Sequence, residues 1–97
     1  MVDAVKHAGP DAIAALRPLL VEIRRDMTGI TEKKPATFYR KGQALLHFHE
    51  DPAGLFADLK IDGAWRRFPM NLPRDRATFL SAWKRMLVGL TKAEANA

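Results

Sequence analysis

The sequence predicts an α+β protein, a two-layer sandwich in which an N-terminal helix and a C-terminal helix pack on one side of a four-stranded antiparallel β-meander. Two observations predict this class. Between residues 37 and 70, apolar and aromatic runs are separated by short turn signals, as in a series of hairpins. In residues 13–27 and 79–90, apolar residues recur at three- and four-residue intervals, as on helices that bury one face.

The central hairpin is predicted from Asp62-Gly63, which separates residues 55–61 from residues 64–70. Asp-Gly tolerates the positive φ angles of a two-residue type I′ turn. Because side chains alternate between the two faces of a sheet, this turn sets every cross-strand pair. The pairs are Ile61 with Ala64, Leu59 with Arg66, Ala57 with Phe68 and Leu55 with Met70 on one face, and Lys60 with Trp65, Asp58 with Arg67 and Phe56 with Pro69 on the other.

The two preceding strands are predicted at residues 37–40 and 44–50, joined by a Lys41-Gly42 turn. The segment at residues 31–35 is polar and carries three charges. We expect it to be a connection between the first helix and the sheet.

The loop between the second and third strands leaves two registers open. Its sequence, Asp51–Gly54, has the residue types of a type I turn. A four-residue loop would put Phe48 beside Ala57, whereas a three-residue loop with a glycine bulge would reverse the faces of the second strand. We choose the four-residue loop because it places Leu46 and Phe48 on the apolar face.

The N-terminal helix is predicted to begin at Gly9-Pro10-Asp11. Pro18 interrupts its apolar stripe, and an interior proline loses a hydrogen bond and clashes with the preceding turn. We therefore expect either a kink near Arg17 or two short helices, with Pro18 in the first turn of the longer one. The C-terminal helix is predicted to start near Pro73 and to end at Gly89. The stripe residues are Ile13, Leu16, Leu20, Ile23 and Met27 in the first helix, and Phe79, Trp83, Met86 and Leu90 in the second.

The length of 97 residues suits one domain, residues 1–97. We expect its core at about residues 11–90 and frayed termini at residues 1–9 and 91–97. The absence of cysteine excludes disulfides, thiolate nucleophiles and cysteine-ligated zinc. No apolar run reaches the roughly 20 residues of a membrane span, and no signal peptide is evident. We therefore expect a cytoplasmic protein of bacterial type with no membrane partner.

The net charge of +5 permits an acidic partner such as nucleic acid without requiring one. Basic doublets occur on five different segments, so only the folded arrangement shows whether they make one patch. A dispersed solvated surface is the commoner case, and a functional basic patch is the alternative. The doublets are Arg24-Arg25, Lys33-Lys34, Arg40-Lys41, Arg66-Arg67 and Lys84-Arg85.

The sheet face that points away from the helices is the candidate binding surface. With the chosen register, His47 lies opposite Asp58, and Asp58 lies opposite Arg67, which makes a polar row across three strands. The flanking rows are His49, Phe56 and Pro69 on one side, and Leu45, Lys60 and Trp65 on the other. The candidate binding residues are His47, His49, Asp58, Lys60, Trp65 and Arg67.

Catalysis and metal binding are weaker hypotheses for the same surface. Two histidines on one face beside Asp58 are ligand types that a divalent transition metal accepts, but ordinary surface or ion-paired histidines explain the same pattern. A pair of His47 with Asp58 would suit general acid–base work, yet no nucleophile can be assigned beside it. The isolated glycines form no phosphate loop. We therefore assign no catalytic residue, no metal ion and no cofactor.

The central block also carries two longer motifs, Pro35-Ala-Thr-Phe38-Tyr-Arg-Lys-Gly42 and, after an apolar strand, Gly54-Leu-Phe-Ala-Asp-Leu-Lys60. In these it resembles small uncharacterised bacterial proteins of the YjbR and YdhG kind, across roughly residues 16–60. Gln43 stands where that group often has a lysine. The resemblance implies a compact α+β domain of unknown activity, for which DNA binding is sometimes proposed, and it supplies no catalytic residue.

Together these observations predict a small binding domain that uses its helix-free sheet face, for self-association as a homodimer or for contact with another protein. One alternative is a nucleic-acid-binding protein, in which aromatic residues of the sheet stack on bases beside the basic doublets. A second alternative is a small enzyme or a metal site around His47, His49 and Asp58.

Overall fold

The computed structural model describes residues 6–95 and confirms the α+β class. Five antiparallel strands form a meander in the order β2-β3-β4-β5-β6, and a two-residue strand, β1, pairs with the end of β4. The helices lie at the two ends of the chain. The elements are β1 (Lys6–His7), α1 (Pro10–Ala15), α2 (Arg17–Arg24), β2 (Ile30–Lys34), β3 (Thr37–Arg40), β4 (Gln43–Asp51), β5 (Gly54–Ile61), β6 (Ala64–Pro69) and α3 (Pro73–Ala95).

The predicted count of four strands is wrong, because the segment expected to be a connection is strand β2. Its residue Thr31 pairs with Tyr39, and Ile30 is buried in the core. The remaining residues are mostly charged because β2 lies at the edge of the sheet, where charged side chains block further strand pairing. A polar composition at a sheet edge therefore concealed a strand that tertiary packing supports.

The central hairpin has the predicted register, with Asp58 opposite Arg67 and Lys60 opposite Trp65. Asp62 and Gly63 have φ angles of 51° and 80°, as a type I′ turn requires. At the far end of the hairpin, Met70 N–H donates a hydrogen bond of 2.9 Å to the Leu55 carbonyl, which extends the pairing by one residue. The turn residues and the alternating pattern were sufficient to predict this unit.

The hairpin of β4 and β5 has the register of the four-residue loop. Phe48 lies opposite Ala57, and both are buried. Gly54 closes this loop with a φ of 128°, and the Asn71 Oδ1 accepts a hydrogen bond of 2.8 Å from the Leu55 N–H beside it. The second strand therefore turns its histidines away from the helices.

Leu45 departs from the predicted arrangement, because it is buried in the core and not part of the open row with Lys60 and Trp65. Phe38 pairs with Leu46, but the next residue of β3 pairs with Ala44, so Leu45 is an extra residue in β4. Such a bulge lets two successive side chains lie on the same side of a strand. Leu45 and Leu46 are both buried for this reason.

The first helix is divided in two, which is one of the two arrangements expected from Pro18. α1 ends at Ala15, and α2 begins at Arg17 with Pro18 in its first turn. Leu16 between them is fully buried, and its carbonyl accepts a hydrogen bond of 2.9 Å from the Leu20 N–H. The break therefore exposes no apolar side chain at this point, because the apolar stripe continues across it.

The C-terminal helix, α3, continues through Gly89 to Ala95, so its predicted end at Gly89 is wrong. An interior glycine costs about 1 kcal/mol relative to alanine, which a long packed helix tolerates. The helix still contributes its predicted stripe, in which Phe79, Trp83 and Met86 are buried and Leu90 packs against the core. Within residues 6–95, no helix is long and apolar enough to cross a membrane.

One core joins the helices to a single face of the sheet, as the two-layer sandwich requires. The sheet contributes Phe38, Leu46, Phe48, Ala57, Leu59 and Phe68 to it. Of the termini expected to fray, residues 1–5 and 96–97 lie outside the described residues. The opposite face of the sheet carries the polar and aromatic side chains considered next.

Candidate metal centre on the helix-free face

The six predicted binding residues all lie on the face opposite the core, which we call the helix-free face. Alternation places them there, because their neighbours Leu46, Phe48, Ala57 and Leu59 are buried under the helices. Tyr39 and Phe56 lie on the same face beside them. Its side chains are half-buried or exposed, so the surface is open to a ligand.

His7, His47 and His49 meet on this face, and we call them the histidine cluster. They are the only histidines of the chain. The ring centroids of His7 and His49 lie 4.8 Å apart, and those of His7 and His47 lie 5.5 Å apart. One ring nitrogen from each histidine lies within 4.8 Å of one from each of the others.

Strand pairing at the start of the chain delivers the third histidine. His7 of β1 lies opposite His49 of β4. Two further hydrogen bonds hold this segment, one of 3.0 Å from the Ala8 N–H to the Phe48 carbonyl and one of 2.7 Å from the Gly9 N–H to Glu50 Oε2. His47 and His49 share a face because they are two residues apart on one strand. The cluster therefore joins segments about 40 residues apart in the chain.

His47 has the environment of a neutral ligand. Its Nε2 atom is buried and has no hydrogen-bond partner among residues 6–95. Burial lowers the pKa of His47 below its ordinary value of 6.5, and the proximity of two other imidazoles lowers it further. A buried ring nitrogen without a partner is costly, and a metal ion would relieve that cost.

Asp58 contacts His49 rather than His47, although the register pairs it with His47. Its Oδ2 lies 2.9 Å from Nδ1 of His49. Both carboxylate oxygens accept hydrogen bonds from Arg67, at 2.8 and 2.9 Å. The bonds from Arg67 are the main reason that the pKa of Asp58 is lowered. Asp58 is therefore held ionised beside the histidine cluster.

A shallow depression of about 430 Å³ adjoins the cluster. It is lined by His47, His49, Asp58, Trp65 and Arg67. The centroid of the Trp65 ring lies 5.5 Å from that of the His47 ring, and the Lys60 ammonium lies 5.1 Å from the Trp65 ring centroid. Trp65 is 47% exposed, so it forms a wall of the depression rather than part of the core.

The cluster fits a divalent transition metal after a small contraction. Imidazole is a preferred ligand of Zn²⁺, Cu²⁺, Ni²⁺ and Fe²⁺. With metal–nitrogen distances of about 2.0–2.1 Å in a tetrahedral site, the nitrogens would lie about 3.4 Å apart. The observed limit of 4.8 Å would have to close by about 1.4 Å, and His7 is the exposed member of the three histidines. A fourth position would face the depression.

Sequence reasoning missed His7, because residues 1–9 were expected to fray. A strand of two residues is too short to be predicted from side-chain alternation. The available signal was compositional, since a chain with only three histidines has two of them in His47-Phe48-His49. Composition could not place His7, because the pairing of β1 with the distant strand β4 depends on how the whole sheet forms.

The basic doublets do not form one patch on the helix-free face. Alternation separates the members of Arg66-Arg67 onto opposite faces of β6. Acidic partners neutralise both members of another doublet: Arg24 pairs with Glu32 at 2.7 Å and Arg25 with Glu22 at 2.8 Å. The dispersed surface is the better description of most of these charges.

Comparison of this chain with protein-family models, curated proteins and solved structures finds no match. The resemblance to proteins of the YjbR and YdhG kind therefore stays a prediction. The function has to be argued from the geometry of the helix-free face.

Proposed function

We propose that this chain is a binding protein that acts through its helix-free face, and that its ligand is a divalent transition-metal ion held by His7, His47 and His49. One observation carries the proposal. All three histidines of the chain converge with ring nitrogens within 4.8 Å of one another, although the rest of the sequence separates them. Chance placement of unrelated surface histidines does not favour such convergence.

The surroundings of the histidine cluster support the same ligand. Histidines that bind metals usually direct their second ring nitrogen at a carboxylate, which orients the ring and raises its basicity. Asp58 is in that position toward Nδ1 of His49, and Arg67 holds Asp58 in turn. The remaining nitrogen of His49, Nε2, would then be the metal ligand. Asp58 acts as a positioning residue in this scheme.

The proposal assigns binding and no catalytic residue. Three protein ligands leave a coordination position free for water or a small donor from solution. The depression walled by Trp65 and Arg67 gives that position access to solvent. Self-association, nucleic-acid binding and a cytoplasmic location stay predictions, and binding to nucleic acid would show affinity that falls steeply with added salt.

The test is calorimetric titration of Zn²⁺ and Ni²⁺ into protein without a polyhistidine tag, after chelator treatment. We expect one ion per chain, and a loss of at least about tenfold in affinity for each of His7→Gln, His47→Gln and His49→Gln. Lys60→Gln is the matched control on the same face and should bind like the unchanged protein. Co²⁺ absorption bands would report the coordination geometry.

Two results would overturn the proposal. One is a stoichiometry far below one ion per chain at micromolar metal, and the other is equal affinity in the unchanged protein and all three histidine variants. Circular dichroism of each variant shows whether it folds. His7→Gln keeps the test decisive if a β4 variant unfolds, because His7 is exposed and outside the core.

A further inference from the structure

A second concave site lies on the other side of the sheet, at the end of the sandwich away from the histidine cluster. It is a groove of about 520 Å³ between the second half of α3 and the turn ends of two hairpins. The lining includes residues from the β3–β4 hairpin, from the Asp62-Gly63 turn and from residues 82–90 of α3. We call it the arginine groove, because Arg40, Arg66 and Arg85 all line it.

The three arginines come from three of the basic doublets. Arg66 lies opposite the buried Leu59, so it occupies a strand position that faces the helix layer. Arg40 is on the same side of the sheet, two residues after the buried Phe38. Positions that face a covering helix normally hold apolar residues, and arginine there leaves the end of the sheet uncovered. The groove therefore exists because the sandwich is open at this end.

The floor of the arginine groove is apolar. Leu45, Ala82 and Met86 are buried members of the core that border it, and Ile61 and Leu90 are half-buried. Leu45 reaches this floor only because of the bulge in β4. An apolar floor with charged groups at the rim is the usual design of a site for an amphipathic small molecule.

The charges at the rim select an anion. Asp62 is the one acidic residue among the described residues that line the groove, whereas Lys60, Arg66 and Arg85 of the lining are basic. Clefts lined by one sign of charge concentrate counter-ions, and the guanidinium fork matches a carboxylate. The guanidinium of Arg66 lies 5.2 Å from the Phe68 ring centroid, a contact that leaves its N–H edge for a ligand.

We infer that the arginine groove binds a small amphipathic carboxylate, a single-chain organic acid whose head meets Arg66 and Arg85 and whose apolar chain lies on the floor. This inference is independent of metal binding, since the histidine cluster lies on the opposite face of the sheet. A nucleic acid fits this site less well, because the floor is apolar and the groove has a volume of only about 520 Å³.

The experiment is a titration of ¹⁵N-labelled full chain with decanoate below its micelle concentration, with decanol and acetate as separate arms. Decanoate should shift amides of the Asp62-Gly63 turn and of residues 82–90, and decanol and acetate should each bind at least about tenfold more weakly. Arg66→Gln and Arg85→Gln should each weaken decanoate binding at least about fivefold. Arg25→Gln, which removes an arginine outside the groove, is the matched control.

Three outcomes would overturn the inference. Equal binding of decanoate and decanol would mean an apolar groove without a carboxylate site. An equal effect of Arg25→Gln and Arg85→Gln would mean a response to net charge only. Shifts confined to the helix-free face would place the ligand elsewhere. Chain folding is checked from the dispersion of the same spectra.

Discussion

Oδ2 of Asp58 lies 2.9 Å from Nδ1 of His49, although the strand register pairs Asp58 with His47. The contact is therefore diagonal across β4 and β5, and diagonal neighbours in an antiparallel sheet are within reach of side chains of this size. If the proposed metal site forms, this contact makes Nε2 of His49 the ligand atom, because Nδ1 faces the carboxylate. The predicted polar row is present, but the histidine that contacts Asp58 is His49, the next residue on the same face of β4, and not His47.

Asp58→Asn should weaken Zn²⁺ binding by about 10- to 100-fold, because the amide cannot orient His49 or raise its basicity as a carboxylate does. Calorimetric titration measures this change. Asp51→Asn removes a carboxylate from the end of the neighbouring strand, β4, and should leave the affinity unchanged. Equal affinities of the unchanged protein and Asp58→Asn would contradict the positioning role, provided that urea unfolding shows the variant to be folded.

Acidification should destabilise the metal-free protein partly through His47. The pKa of His47 in the folded protein lies below 6.5, so the unfolded chain takes up the proton first as the pH falls. Stability is then lost from about pH 6.5 downward, until the lower folded-state pKa is passed. Urea unfolding at pH 7.5, 6.5 and 5.5 with a chelator present measures the decline. His47→Gln should reduce it and Lys60→Gln should not, and identical slopes in all three proteins would contradict the assignment.

Gly54→Ala should destabilise the fold by about 2 kcal/mol or more, because its φ of 128° is a conformation that side chains rarely adopt. An added Cβ would also collide with the Asn71 carboxamide, which accepts a hydrogen bond from the Leu55 N–H. Gly89→Ala is the control: it meets open space within a helix and should stabilise by about 0.5–1 kcal/mol. Thermal or urea unfolding compares the two. A neutral Gly54→Ala would be inconsistent with this turn.

Leu45→Ala should cost about 2–5 kcal/mol, as expected for a leucine that is 6% exposed. The open row predicted from strict alternation would instead give a cost below about 1 kcal/mol. Trp65→Ala supplies the comparison, since Trp65 is on the helix-free face and half exposed. Denaturant unfolding decides between the bulged and the regular strand, because only the bulge makes Leu45 the more costly substitution.

Self-association through the helix-free face predicts a role for Trp65, the one exposed large hydrophobic residue that this face has within the described part of the chain. If a homodimer forms there, Trp65→Ser should lower the association constant at least about tenfold, as loss of a tryptophan anchor does at interfaces. Val88→Ser changes an exposed apolar residue of α3 and should have no effect. Sedimentation equilibrium provides the measurement, and a monomer at all accessible concentrations would contradict self-association.

Short-range chemistry was enough to predict much of this protein. The Asp62-Gly63 turn set the register of β5 and β6, and Pro18 indicated the break in the first helix. The helical stripes and the apolar sheet face together contained most of the core. Each of these features depends on the φ preferences and side-chain alternation of a few neighbouring residues. The face that carries His47, His49 and Asp58 followed from the same rules.

Other features depended on packing between distant segments. A charged edge strand, an extra residue in β4 and a two-residue β1 have no distinctive local pattern, because partner strands and the core select them. The meeting of His7 with His47 and His49 belongs to this second kind. Local preferences act over one turn or one strand, whereas the positions of these imidazoles depend on the closure of the whole sheet.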